Sequence, residues 1–422
     1  MKTTFDSADI SETVNGFSKS INLKESFESS AEVIGLLVER IKHDDALNRL
    51  LIASLNKAKL IAQEQLEPGL YKALQWPTDL VEYTDYLFKF SKWMPEESKD
   101  AIWKIPGVKG HQEVDDRLGH FHWLIDQKVG DADNKIVQNS TWFSKWLIGY
   151  AKCWGSFLDT TASFNSEKLN SFMKNSPQYK VEDSLINGKS NNPSGWLTFN
   201  QFFARELNPG LRDIESPEKN TIVTIPADCT FRAQYKIGSD SSIPEITIKK
   251  THKFASIPHL LEGSKYKDAF ADGTFVHYYL SPFSYHRFHT PVAGVIKECY
   301  PIHGLVYLDV NITDKQFCSP DNAEDGYQFA QARGVTIVDT TDSPYGNIGI
   351  VAVIPIGMCQ VSSVNMIATV GSNALKGDEF GYFLFGGSDI IILFQKGANS
   401  QINTGEQYRH YGSKMAECRL LN

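Results

Sequence analysis

What this chain lacks narrows its class first. Nowhere do its 422 residues string together the roughly 18 unbroken apolar positions of a membrane-crossing helix. The nearest approach, "IGIVAVIPIGMCQV", is interrupted by Pro355 and Gly357. Cysteine is sparse and scattered: Cys153, Cys229, Cys299, Cys318, Cys359 and Cys418 include no C-x-x-C pair. That argues against a disulfide framework and a zinc site, and leads to the expectation of a reducing, cytoplasmic setting. The opening "MKTTFDSADISETVNGF" has neither an apolar signal core nor the Arg-rich, acid-poor character of a transit peptide. Positive charge is in deficit, with a net charge of −8. This disfavours broad nucleic-acid contact and a general hold on anionic lipid, while leaving a local basic patch open.

With 41% hydrophobic and 22% charged residues, the composition is that of a soluble globular protein, and the length exceeds one ordinary core. Residues 1–25 read as a mobile polar tail. From Ser29 the pattern turns helical: Ser29 with Glu32 forms a capping box, and Val33, Leu36, Leu37 and Ile41 share one face. Leu47, Leu50, Leu51 and Leu55 repeat the spacing, and helix-like stretches continue through "PTDLVEYTDYLFKFSKWM" and "TWFSKWLIGYAKCWGSFLDT". Residues 26–182 thus read as a helical domain, with a linker at 183–195 inside "VEDSLINGKSNNPSG". From 196 to 422 short β-branched and aromatic runs recur between Gly, Pro, Asn and Asp. The expected class is α+β, a mainly helical N-terminal domain followed by a β-rich one.

Three constellations carry candidate chemistry. In "PADCTF", Asp228 follows a strand, where a carboxylate can orient an imidazole or simply cap a turn. In "YLSPFSYHRFHTP", His286 and His289 are bracketed by Pro282 and Pro291, and two imidazoles so close can divide acid–base work. No third ligand at metal spacing accompanies them, so no metal is expected. His120 and His122 lie two residues apart on a helix, on different faces, and read as structural. The third constellation is "GYFLFGGSDIIILFQ", two apolar runs around Gly386, Gly387, Ser388 and Asp389. It reads as a hairpin turn, or as a serine whose hydroxyl can attack the unshielded carbonyl of Gly387.

Together these motifs resemble the phosphatidylserine decarboxylases, which are pyruvoyl-dependent enzymes. The resemblance runs from "GWLTFNQFFARELNPGLRDI" through "IPADC", "SYHRFHTPVAG", "IPIGMCQVSSVN" and "KGDEFGYFLFGGS" to about residue 397. The N-terminal half, most clearly "WGSFLDTTASFNSEKL", is similar to the helical extension of a subgroup that includes a fungal L-tryptophan decarboxylase. The resemblance implies that Ser388 is the nucleophile of self-cleavage and Gly387 supplies the scissile carbonyl. His289 is then the base, Asp228 orients it, and His286 serves the decarboxylation step. Attack gives an ester, β-elimination frees a chain ending at Gly387, and loss of ammonia leaves a covalent pyruvoyl group at position 388. That carbonyl takes the substrate amine as a Schiff base and serves as an electron sink, so no other cofactor and no metal is implied.

The sequence departs from the family pattern in two places. Asp389 follows the serine, where a carboxylate could resist charge building on the oxyanion, and Cys229 stands where glycine is common. The acidic helical half occupies the place of a membrane-associating front end. Three readings stand open. One is phosphatidylserine to phosphatidylethanolamine, and another is decarboxylation of a free, tryptophan-like L-amino acid. The third is a non-catalytic binding or scaffold homologue. The expected partner is a small amine, as lipid headgroup or amino acid, with at most peripheral membrane contact (an amphipathic "LVEYTDYLFKFSKWM" is one candidate surface) and a homodimer left open.

Overall fold

The computed structural model describes residues 29–105, 110–130, 135–248, 253–318, 326–357, 363–385, 388–405 and 407–421. Its first part is helical for the reasons the sequence suggests. Ser29 accepts a hydrogen bond from the Glu32 amide and starts the helix Ser30–His43. Asp44 ends that helix and caps the next, Asp45–Gln65, by accepting from the Leu47 amide. Val33, Leu37 and Ile41 point inward, whereas Leu36, grouped with them by spacing, stays on the surface. The helix Thr141–Leu158 crosses this layer. Its Trp146 indole donates to the Val33 carbonyl at 2.7 Å and its Tyr150 hydroxyl to that of Leu87 at 2.6 Å. In the helix Leu80–Phe90, Tyr83, Tyr86, Leu87 and Phe90 are buried, so the amphipathic stripe is used for core packing. His120 and His122 are buried in the helix Glu113–Trp123, against Tyr86 and Gln138.

The stretch expected as a linker carries a small hairpin, Leu185–Ile186 with Lys189–Ser190, turned by Asn187 and Gly188 at φ 52° and 75°. Beyond it lies an eight-stranded antiparallel sheet. Its order is Asn373–Ala374, Gly294–Ile302, Ala332–Asp339, Ile350–Gly357, Ser388–Phe394, Thr274–Leu280, Cys229–Lys236 and Tyr408–Arg409. The architecture is therefore α+β. The central strand Ser388–Phe394 is fully buried, with Ser388 opposite Gly357 on one side and Leu280 on the other.

The two sides of this sheet are covered differently. Tyr278, Leu280, Ile390 and Ile392 belong to a large apolar cluster that continues into the helical part. Ile391, Leu393, Phe275 and Ile354 belong to a second, smaller cluster on the other face. Alternation along the strand thus sends Ser388 toward the first cluster and Asp389 toward the second.

The hairpin reading of "GGSD" does not hold. Glu379–Phe383 lies in a three-stranded sheet with Val364–Met366 and Arg287–His289, and Ser388–Phe394 lies in the large one. The two apolar runs are strands of different sheets.

Candidate active site

Ser388 sits at the head of the central strand, completely buried, and its hydroxyl has no hydrogen-bond partner among the described residues. Gly387, expected to supply the scissile carbonyl, and Gly386 lie outside the described residues. The approach to them is anchored: the Phe385 amide donates to the Asn200 side-chain oxygen at 3.2 Å, and the Phe383 amide to the His286 carbonyl at 2.9 Å. Phe385 also meets Trp154 of the helical part edge-on, with ring centroids 5.3 Å apart.

His286 and His289 come from the loop and short strand that follow Thr274–Leu280. His286 is fully buried and stacked on Phe203, centroids 3.8 Å apart, and neither ring nitrogen has a well-formed hydrogen bond among the described residues. Burial, then the neighbouring Arg205 charge, hold its pKa well below the ordinary imidazole range. His289 Nδ1 lies 2.8 Å from the Gly377 carbonyl, which can only accept, so Nδ1 carries the proton. Nε2 is then the acceptor, taking a hydrogen bond from the Tyr285 hydroxyl at 3.1 Å. Tyr411 stacks on the ring at 3.9 Å, within 5° of parallel. Burial brings the His289 pKa down to about 4, so the imidazole is a neutral, lone-pair-bearing base near neutrality.

Asp228 is buried beside this group but is engaged elsewhere. Its carboxylate accepts from Arg212 Nη2 at 2.7 Å, His410 Nδ1 at 2.9 Å and the Tyr411 amide at 2.8 Å. Burial alone would raise its pKa, but the His410 and Arg212 contacts hold it below the usual carboxylate range. The residues expected to form a hydrogen-bonded Asp–His pair are thus neighbours in space without that bond. His289 is oriented by Gly377 and Tyr285, and Asp228 reaches it through its charge and through the backbone of Tyr411.

Asp389 faces away from Ser388. Its carboxylate accepts from the Tyr327 hydroxyl at 2.6 Å, and His277 Nε2 lies 3.2 Å away without hydrogen-bond alignment. Its side chain thus points to the other face of the strand from the Ser388 hydroxyl. Cys229, at the glycine position, is fully buried and simply packs. Among the described residues no cluster of three or more His, Cys, Asp or Glu could hold a metal, and no helix is long and apolar enough to cross a membrane.

Sequence reasoning missed Tyr285, Arg212, His410, Tyr411 and the Tyr327–Asp389–His277 group. The run "YRHYG" at 408–412 was the available signal: an imidazole between two tyrosines, repeating the composition of "SYHRFH".

The family model described as phosphatidylserine decarboxylase matches residues 199–417. The chain is similar to phosphatidylserine decarboxylase proenzyme 2 of Oryza sativa subsp. japonica, with 30% identity over 76% of this chain and 49% of the relative. It therefore spans about half the length of that relative. A phosphatidylserine decarboxylase proenzyme of Chlamydia trachomatis is 31% identical over 65% of this chain and 79% of its own. The decarboxylase iboD of Amanita muscaria is 26% identical over 57% and 73% respectively.

Proposed function

The chain belongs to the phosphatidylserine decarboxylase family, and from that premise we propose that it is a self-processing decarboxylase. In this reading it cuts itself between Gly387 and Ser388 and acts on the serine headgroup of phosphatidylserine. The observation that carries this is the Ser388 hydroxyl, wholly buried at the head of a central strand with no described partner. Leaving such a group unsatisfied costs about 1–3 kcal/mol.

The surrounding residues suit the parts of that process. His289, kept neutral by burial with its lone pair on Nε2, can take the Ser388 proton once the Tyr285 hydroxyl yields its place. Asp228, ionised and fixed by Arg212, then stabilises the imidazolium without sharing its proton. The orphaned hydroxyl and the two orphaned nitrogens of His286 fit a pyruvoyl group at position 388, whose carbonyl would act as an electron sink when the carboxylate leaves as CO₂. His286, held neutral by burial, is suited to placing the substrate as a hydrogen-bond partner rather than to giving up a proton.

Denaturing electrophoresis tests the reading. The wild-type chain should run as a large piece ending at Gly387 and a small one from position 388 to Asn422, and Ser388→Ala as one full-length band. An intact wild-type chain with serine still at 388 by mass overturns it. CO₂ release from phosphatidylserine vesicles, set beside free L-amino acids including tryptophan, tests the substrate.

A further inference from the structure

Arg205 is an anomaly in its surroundings. It is 3% exposed, and among the described residues no carboxylate oxygen lies within 4 Å of its guanidinium. Its contacts are the Tyr179 carbonyl at 2.6 Å, the Phe202 carbonyl at 3.5 Å and the Phe202 ring, and its Nε has no partner. Asp228 and Asp183, the acids that act on it from further off, are both engaged by Arg212, at 2.7 Å and 3.8 Å. Carbonyl oxygens could be held by a neutral donor. A buried charge without a counter-ion is costly unless an anion completes it.

The place that anion would enter is present. Arg205 lines a cavity of about 400 Å³ with Asn191, Trp196, Asn200, Arg287 and Tyr382. The cavity adjoins the reacting centre: Asn200 holds the Phe385 amide, Arg287 follows His286, and Arg205 lies near enough to depress the His286 charge. The other cation on its wall is already paired, Arg287 with Glu379 at 2.6 Å and with Glu206 at 3.5 Å. Two acids, Asp159 and Glu206, belong to the lining and are exposed at its mouth. Arg205 is thus the buried cation of this lining with no carboxylate within 4 Å among the described residues.

A decarboxylase substrate must present an anion that is lost. A cation gripping that carboxylate would stabilise the ground state more than the transition state, in which the charge moves onto carbon, and would slow the reaction. A buried guanidinium beside the site is better matched to a second acidic group that survives the reaction. We propose that Arg205 is the subsite for the non-reacting phosphodiester of the substrate, held by a charge-assisted, two-pronged hydrogen bond. This rests on the decarboxylase reading above and narrows its substrate to amines that carry a phosphodiester, against free aromatic amino acids.

The test compares Arg205→Gln and Arg205→Lys with wild type, using cleaved enzyme. The substrates are phosphatidylserine in mixed micelles and water-soluble glycerophospho-L-serine, with CO₂ as readout. The inhibition constant of O-methyl-L-serine, which has the same amine and carboxylate but no phosphate, is measured beside them. Arg205→Gln should raise KM for both phosphodiesters about tenfold or more with a smaller change in kcat. It should leave the O-methyl-L-serine constant nearly unchanged, and Arg205→Lys should recover part of the loss. An effect on the micellar lipid alone would assign Arg205 to the lipid surface and overturn the subsite. An equal loss for all three compounds, or a Gln variant that fails to cleave, would make the residue structural and overturn it as well. Wild-type enzyme that cleaves but releases CO₂ from neither phosphodiester overturns the subsite if free L-amino acids release CO₂, and sinks the decarboxylase reading if they do not.

Discussion

If His289 is the base of self-cleavage, the pH at which processing stops is fixed by its surroundings. In the unfolded chain its pKa is near the ordinary 6.5, and burial takes it to about 4 in the fold. Between these values the unfolded chain binds a proton that the folded one refuses, so stability rises with pH across the window and is lost on acidification from 6.5 toward 4. The gap corresponds to about 3 kcal/mol for this one group. His120 and His259 are also held neutral by burial, so a melting curve alone does not single out His289. The processing rate does. Precursor refolded rapidly from urea into buffers across the window should keep cleaving well below pH 6.5, with a midpoint nearer 4 on denaturing gels.

Tyr285→Phe provides the internal check. The tyrosine donates to Nε2 and so favours the unprotonated ring. Losing a hydrogen bond worth about 1 kcal/mol should move the midpoint up by about half to one pH unit. A wild-type midpoint at 6.5, or a downward move in Tyr285→Phe, would show that the base is another group or that this contact is absent during cleavage.

Two further outcomes separate the roles of neighbouring residues. His286→Ala should still give both fragments but release no CO₂, and an uncleaved His286→Ala chain would assign this imidazole to processing instead. Asp389→Ala should still cleave, because its side chain points to the other face of the strand from the Ser388 hydroxyl. Thermal melts should show it destabilised by about 1–3 kcal/mol, since the buried Tyr327 hydroxyl loses its acceptor; loss of cleavage in a stably folded Asp389→Ala chain would refute the two-face argument.

The α+β class was legible because each half carries its own period, and helix starts such as Ser29 and Asp44 are written locally. The serine and the two histidines were legible because each sits in a short, unusual string. What holds them was not. Asp228 and its partner His410 are 182 positions apart, and nothing near either residue marks the other. The hairpin reading of "GGSD" failed for a related reason: Gly-Gly permits a tight turn and a crossing between sheets equally, and only long-range pairing decides. The alternation that sends Ser388 and Asp389 to opposite faces was available in "SDIIILF", a run with no visible polar period because both of its faces are buried.

That separation into two sheets bears on how a chain could survive cutting itself. The upstream side is held by the pairing of Glu379–Phe383 with its own small sheet and by the Phe385–Asn200 bond. The downstream side is held by two full ladders, Ser388–Phe394 against Ile350–Gly357 and against Thr274–Leu280. Neither anchorage depends on the 387–388 bond, so a cut there would release the join without unzipping either sheet. The small piece also carries His410 and Tyr411, which bond Asp228 and stack on His289. The candidate site thus draws on residues from both sides of the proposed cut, and after such a cut its geometry would rely on the small piece remaining in place as the central strand of the sheet.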